Sequence, residues 1–497
     1  MSQKRRKGKA GMGKTAPQKE KFFKDLTAKM KKTGAPLGKL TLGEVIDLAE
    51  KFRVKASHIV ISEAMEVHRL THDEVIQAVF EAFKFNLLSL EVGLSKGESF
   101  LLGGIGRRLS GLKKKRTVFI GDRFIDNAVI YTLAAEVGNH QMGLQPCAGT
   151  GDSCVTAGLM KALLETRLSR ERVGQIGALI VKIGVLFKEG KKTTGCNMEG
   201  FGAGAASAAA ALTEMRGGSP RDVARAMVLA LSPTIAVPCT PRVIVSGLCA
   251  THIGGAVLIG NLASNLALKT ALRVDVDIDV MMAMAASVHA NAAPVITEIN
   301  LEYMRPYFKK EAEVEKYVAP GVREEEAAKS ARVLAKAREE MRRLAETANP
   351  LTSPFGDAVV GGSSIAVGSP TNMGRIAHEL YEGEIRKISI GLTTDLFARR
   401  AINVPGILMG AVLGASTKDI KAYHRVLKEV AEKGIEVQIY HIPEPEVQKI
   451  TIEATETNAA VNSLNRGGGR VKLVDAQPSL ATAVEVAGRL GIKLAPT

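Results

Sequence analysis

Gly195-Cys196-Asn197-Met198-Glu199-Gly200-Phe201-Gly202-Ala203-Gly204-Ala205-Ala206-Ser207-Ala208-Ala209-Ala210-Ala211-Leu212-Thr213-Glu214-Met215 joins a glycine-bracketed cysteine turn to an alanine-rich run. Small side chains over Gly204–Met215, and again over Arg221–Leu231, predict two helices that pack closely on their neighbours. Two more cysteines follow in segments punctuated by Gly or Pro, as Pro238-Cys239-Thr240-Pro241 and Gly247-Leu248-Cys249-Ala250-Thr251-His252. Thiolates gathered at tight turns suit a metal. Three of them leave one position of a cubane cluster unfilled, and an iron with an open position acts as a Lewis acid. The residues alone leave three explanations open: buried structural thiols, a zinc site with His252 as fourth ligand, or an iron-sulfur cluster.

On either side of this stretch the helical period continues. Val45, Leu48, Ala49 and Phe52, then Val75, Ala78, Val79 and Phe83, predict a helical pair or bundle from Leu40 to Leu90. Further helices are expected over Asp122–Met142, Ala157–Leu168 and Val274–Asn291, and a charged one over Glu311–Glu346 with opposite charges at i,i+4 spacing. Ser99–Arg116 reads as a loop closed by Lys113-Lys114-Lys115-Arg116. Asn349-Pro350 and Ser353-Pro354 mark a boundary, beyond which Ile385–Gly391, Glu436–His441 and Lys449–Ala454 alternate like strands. Helices are expected there at Met373–Leu380 and Asp419–Lys433, and a turn at Gly467-Gly468-Gly469 before Val471–Asp475. The fold class is thus a multidomain chain: a mostly α-helical domain (36–348) that holds the three cysteines, followed by a smaller α+β domain (349–497), after a basic, disordered or weakly helical tail (1–35).

Composition agrees with this division. A chain of 497 residues exceeds what one core usually serves, and with no Trp and 4% aromatics the packing must rely on aliphatic side chains and Met. The formal charge of +16 is local: residues 1–33 carry 12 Lys/Arg against two acidic residues, so the body is nearly balanced and no specific nucleic-acid partner is expected. Five cysteines, all between Cys147 and Cys249, do not make a disulfide framework and point to a reducing, cytoplasmic setting. The charged N-terminus lacks the apolar core of an export signal. Gly8-Lys9-Ala10-Gly11-Met12-Gly13-Lys14-Thr15 matches a phosphate-loop pattern, but seven residues cannot supply the buried strand that this loop needs. Gly247–Leu268 is long enough to span a bilayer, yet its His252, Asn261 and Asn265 favour a buried helix and no membrane partner.

Several fragments taken together carry a resemblance. They are Ser110-Gly111-Leu112; Glu136 with Asn139, Met142 and Gly143; Pro146-Cys147-Ala148-Gly149 leading to Ser153-Cys154; the Gly195–Glu199 turn with its Ala-rich helix; Cys239; and Cys249. From about Ser110 to Asn300 the chain resembles the α subunit of the bacterial iron-sulfur-dependent L-serine dehydratases. The resemblance implies a 4Fe-4S cluster on Cys196, Cys239 and Cys249 whose open iron takes the substrate hydroxyl while a base removes the α-proton, so that L-serine gives pyruvate and ammonia. Acid-base candidates are His140, Glu199 and His252. Substrate contacts are expected from Ser110, Gly111, Asn139, Gly149, Ser363 and Ser364. Gly149 belongs to a turn, Ala148-Gly149-Thr150-Gly151, that either offers amides to a carboxylate or is a plain turn between two buried thiols. The C-terminal part resembles the family's β part through Gly362-Ser363-Ser364, Val367-Gly368 and Met373-Gly374, with Ile365 where that loop carries His.

Two more departures touch the substrate. Lys113-Lys114-Lys115 stands where the family has Thr-Gly-Gly, so a basic run facing the site would favour a substrate with a second acidic group. The family's C-terminal cysteine is missing, since this chain ends Leu494-Ala495-Pro496-Thr497. The expected activity is therefore an iron-sulfur hydro-lyase acting on L-serine or another small hydroxy acid. The alternatives are a lyase resembling L-cysteine desulfidases and a non-catalytic metal-binding paralogue. The resemblance also implies a homodimer.

Overall fold

Asp122 starts the helix around which the N-terminal part of the chain is built. Its carboxylate accepts from the Phe124 and Ile125 amides at 2.9 and 3.1 Å, satisfying donors that a helix start leaves open. Four residues on, the buried Asp126 ties down the incoming chain by accepting from the amides of Phe119, Ile120 and Gly121. The helix Arg123–Gln141 that follows is buried from Ala128 through Asn139. Helices His72–Lys96 and Ser153–Leu164 lie against it. A Cβ on Gly138 would stand 1.7 Å from the Ser89 carbonyl oxygen, and one on Gly93 would stand 1.9 Å from that of Ala134, so only glycine permits this crossing.

The computed structural model describes residues 16–99, 102–113, 119–142, 153–190, 201–235, 245, 247–270, 272–347, 359–363, 367–466 and 468–495. They form two compact units, Met1–Glu340 and Met341–Thr497, divided within the helix Pro320–Thr347. The first unit is helical throughout its described length apart from isolated bridges, with one apolar core running from Phe23 to Ala285. Its alanine-rich helices sit where the sequence places them, at Gly204–Met215 and Pro220–Leu231, and both pack on Leu248–Lys269.

Two segments differ from their sequence reading. Residues Ala16–Lys32 form a helix whose Phe23, Leu26 and Met30 are buried in the core. The apolar repeat is only three residues wide and six lysines surround it, which hides it among charges. Within the expected loop Ser99–Arg116, Ile105–Leu112 is a helix, held by buried Leu109 and by Gly106, whose missing side chain lets it press on Gly93 and Gly97. Glycine at 103, 104, 106 and 111 masks the period. The Leu248–Lys269 helix buries Cys249, Ile253, Ala256, Val257, Gly260 and Ala263, as a core helix does. Among the described residues, one helical segment, Ile278–Tyr307, is long and apolar enough to cross a membrane by length and composition.

The second unit is α+β. Strands β1 (Ile385–Leu392), β2 (Glu436–His441), β3 (Val447–Ala454), β4 (Ala459–Arg466) and β5 (Arg470–Gln477) form one sheet in the order β2-β1-β3-β4-β5. β1 and β2 are parallel, and the crossover that a parallel pair demands is supplied by helices Arg400–Leu413 and Ile420–Glu432. The other pairs are antiparallel, β4 and β5 joined at the glycine turn read from the sequence. Ile388, Ile390, Ile450, Ile452 and Val461 make this unit's own core with helices Ser369–His378 and Arg400–Leu413.

Candidate functional site

At the C-terminal end of the Arg123–Gln141 helix a carboxylate is buried where its neighbours are Ala134, Ala135 and Val137. Glu136 is 1% exposed, a position at which a charged side chain is costly unless its oxygens are engaged. They are engaged by sulfur. The Cys154 thiol donates to Oε2 at 2.7 Å, and the Cys249 thiol lies 3.4 Å from Oε1. Nε2 of His140, one turn further along the helix, lies 3.4 Å from the same Oε1.

A second layer fixes these groups. The Asn139 amide donates to Cys154 Sγ at 3.4 Å, and its oxygen accepts from Ser89 Oγ at 2.5 Å. The Ser89 hydroxyl also reaches the Ala135 carbonyl, so the glycine crossing sets the height of Asn139. His140 Nδ1 stands 3.1 Å from Ser99 Oγ, which accepts in turn from the Leu102 amide at 2.8 Å. Both ring nitrogens are thereby held. Cys249 lies in the first turn of its helix, with its thiol turned to the Glu136 carboxylate.

Of the expected site residues, the structure brings together His140, Asn139 and Cys249. His252, one turn after Cys249, has its ring 4.6 Å from that of Phe201. Ser110 and Gly111 lie on the Ile105–Leu112 helix, and the Ser110 hydroxyl donates to the Leu94 carbonyl at 2.9 Å, a bond that fastens two helices. Ser363 belongs to the second unit, buried, with its carbonyl accepting from the Val367 amide at 2.6 Å. Cys196, Cys239, Glu199, Gly149 and Ser364 lie outside the described residues, as do Lys114, Lys115 and Arg116. Lys113 is paired with Glu165 at 3.0 Å and sits 5.0 Å from the centre of the Tyr131 ring, so its charge is already answered by an acid. Among the described residues no group of three or more His, Cys, Asp or Glu is arranged to hold a metal ion.

Sequence reasoning assigned no role to Glu136, Cys154, Ser89 or Ser99. A signal existed for Glu136: a carboxylate inside the run Ala134-Ala135-Glu136-Val137-Gly138, with Thr132 and Leu133 buried one turn before it.

The serine dehydratase alpha chain family matches residues 51–301, which spans this whole cluster and half of the chain. The chain belongs to that family. A curated relative, the probable L-serine dehydratase alpha chain of Bacillus subtilis (strain 168), is 27% identical over 211 residues, covering 40% of this chain and 68% of the relative. The family is one of lyases, and its matched region ends before the second unit begins. The Glu136, Asn139, His140, Cys154 and Cys249 cluster therefore lies wholly inside the family's alpha-chain region.

Proposed function

We propose that this chain is a cytoplasmic iron-sulfur hydro-lyase that eliminates water from L-serine or a related small hydroxy acid. What carries the reading is the buried Glu136 carboxylate with Cys249, Cys154 and His140 around it, inside the family region. The donor chemistry fits a thiolate-held cluster: Cys249 is fully buried at a helix start, and Cys196 and Cys239 would complete the set. When bound, such a cluster supplies Lewis acidity to the substrate hydroxyl.

The chain's own residues do the rest. Of the three acid-base candidates, His140 is favoured: Glu136 faces Nε2 and fixes the ring, and Nδ1 becomes the proton acceptor when the Ser99 hydroxyl turns away from it. The Glu136 carboxylate stabilises the imidazolium formed when His140 takes the α-proton. Asn139, oriented by Ser89, donates its amide to Cys154 and so holds that thiol against Glu136. Loss of the α-proton and of the β-hydroxyl as water leaves an enamine, which tautomerises to an imine and hydrolyses to pyruvate and ammonia.

Anaerobic purification with iron and sulfide analysis, absorption and EPR spectra, and a pyruvate assay from L-serine test this. A paramagnetic cluster together with pyruvate is the expected result. Zinc without iron sinks the cluster; a cluster with no turnover of L-serine shifts the substrate to another hydroxy acid.

A further inference from the structure

Four helix ends meet around an open hollow of about 540 Å³ in the first unit. Arg123–Gln141 starts there with Asp122 and Pro220–Leu231 with Asp222 in its first turn, while Gly204–Met215 ends there at Arg216 and Leu248–Lys269 at Lys269. Each charge stands at the helix end whose dipole favours its sign. Gly217 keeps the hollow roomy, since a Cβ added there would meet nothing within 4 Å. The thiol cluster lies elsewhere: Asp122 precedes Glu136 by fourteen residues, about 21 Å along the helix.

The four charges differ in how fully they are engaged. Asp222 is saturated, its Oδ1 accepting from Arg225 and its Oδ2 from the Ser219 amide and hydroxyl. Asp122 takes both cap bonds, from the Phe124 and Ile125 amides, on Oδ1, and its Oδ2 has no partner among the described residues. Arg216 rests on neutral acceptors, with Nη1 on Ser264 Oγ at 3.0 Å and Nη2 on Asn261 Oδ1 at 2.6 Å, and among the described residues no carboxylate pairs with it. Burial pushes its guanidinium below the ordinary value, and the charge of Asp122 only partly opposes this. The Lys269 ammonium is exposed at the rim, with no ion pair among the described residues.

From these open valences of both signs we infer that the hollow is a binding site for a small zwitterion, the backbone of a free α-amino acid, with its carboxylate on Arg216 and Lys269 and its ammonium on Asp122 Oδ2. The planar guanidinium fork suits a carboxylate, which gives Arg216 the anionic partner that its burial calls for. Inorganic phosphate fits less well, because the Asp122 and Asp222 carboxylates both line the hollow and repel a second negative charge. Among the described residues Leu268 is the one apolar side chain in the lining, so recognition falls on the two charged groups that amino acids share. The inference is independent of the reaction assigned above.

Isothermal titration calorimetry of the full chain with glycine, L-alanine and L-leucine, none of which has a β-hydroxyl to lose, tests it. All three are expected to bind with a Kd in the millimolar range or below, and propionate and ethylamine, each carrying one half of the pair, at least about tenfold more weakly. Lys269→Ala removes a cation from an exposed position, and Asp122→Asn removes the acid while keeping an oxygen that caps the helix equally well. Each should weaken L-alanine about three- to fivefold, the upper range for one exposed ion pair. Absence of binding by all three amino acids overturns the inference. Binding that neither variant weakens also overturns it, by seating the ligand at another site. So does propionate or inorganic phosphate bound as tightly as L-alanine, which would make the hollow a plain anion site.

Discussion

Each unit contains a pair of helices pressed together through glycine, and the two seams serve different ends. In the first unit, Gly93 and Gly138 let the helices His72–Lys96 and Arg123–Gln141 touch backbone to backbone. In the second, Gly406 meets Gly361, where an added Cβ would lie 2.0 Å from the carbonyl oxygen, and Gly374 and Gly410 bring Ser369–His378 against Arg400–Leu413. The polar groups beside the seams differ. In the second unit Thr371, Asn372 and His378 bond the backbone carbonyls of Gly361, Gly469 and Ala411, while Ser369 accepts from Gln448 and Asn372 from Arg375. In the first unit Ser89 bonds the Ala135 carbonyl as well as Asn139, and Asn139 and Glu136 go on to meet two thiols. The same packing device makes a scaffold in one place and aims reactive groups in the other.

The harshest way to break that comparison is to add one methyl group to each seam. Gly138→Ala would drive a carbon into the Ser89 carbonyl, a backbone atom that cannot swing aside, and should cost at least ~3 kcal/mol in urea unfolding followed by circular dichroism. Gly406→Ala should cost a similar amount. Thiol labelling mapped by mass spectrometry separates the two variants: Gly138→Ala should expose Cys154 and Cys249, which are fully buried in the native chain, and Gly406→Ala should not. Equal exposure in both variants would erase the distinction between scaffold and site.

A milder change sharpens it. Glu136→Ala leaves two thiols and an imidazole facing a cavity, whereas Glu136→Gln keeps the shape and removes the charge. If the carboxylate orients ligand and base, Glu136→Ala should lower both iron content and pyruvate formation about 10- to 100-fold, the usual effect of losing a group that orients a metal's ligands. Glu136→Gln should retain iron and lose turnover. A Glu136→Gln enzyme with wild-type turnover would make the carboxylate a packing element only.

The architecture was more legible in the sequence than the site, for a physical reason. Strand alternation in Ile385–Leu392 and Val447–Ala454, and the small-residue period in Gly204–Met215, are local patterns that burial imposes directly. The site is a convergence of separate helices. Ser89 meets Asn139 only because two glycines allow the crossing, and no spacing between them in the chain announces it. Cys249 was marked by its glycine-punctuated segment, and His140 by the family fragments beside it. Glu136 stood in those fragments but drew no role, because a single acid in an apolar run is equally the mark of a misread helix. Ala16–Lys32 shows the opposite failure, a real apolar stripe outvoted by the lysines around it.

The smallest effect is expected at Glu165, which follows the Ser153–Leu164 helix at the end opposite Cys154. Its carboxylate accepts from the Tyr131 hydroxyl at 2.6 Å and from Lys113 at 3.0 Å. Burial alone would raise the Glu165 carboxyl, but the hydrogen bonds from Tyr131 and Lys113 outweigh it and hold the group below the ordinary carboxylate value. A folded-state value below the unfolded one gives stability that is complete above the unfolded value and is lost as pH falls through the folded one. Tyr131 is pushed far up, first by burial and then by Glu165, so its contribution is present at neutral pH and fades once an unfolded tyrosine ionises. Glu165→Gln should therefore flatten the acid side of the stability profile and leave most of the alkaline fall, which burial sustains, with a loss near neutrality of about 1 kcal/mol. Pyruvate formation should not change. If Glu165→Gln cut turnover as deeply as Glu136→Gln, the Lys113 end of the helix would be part of the chemistry, and the basic run that follows it would have to be placed at the substrate after all.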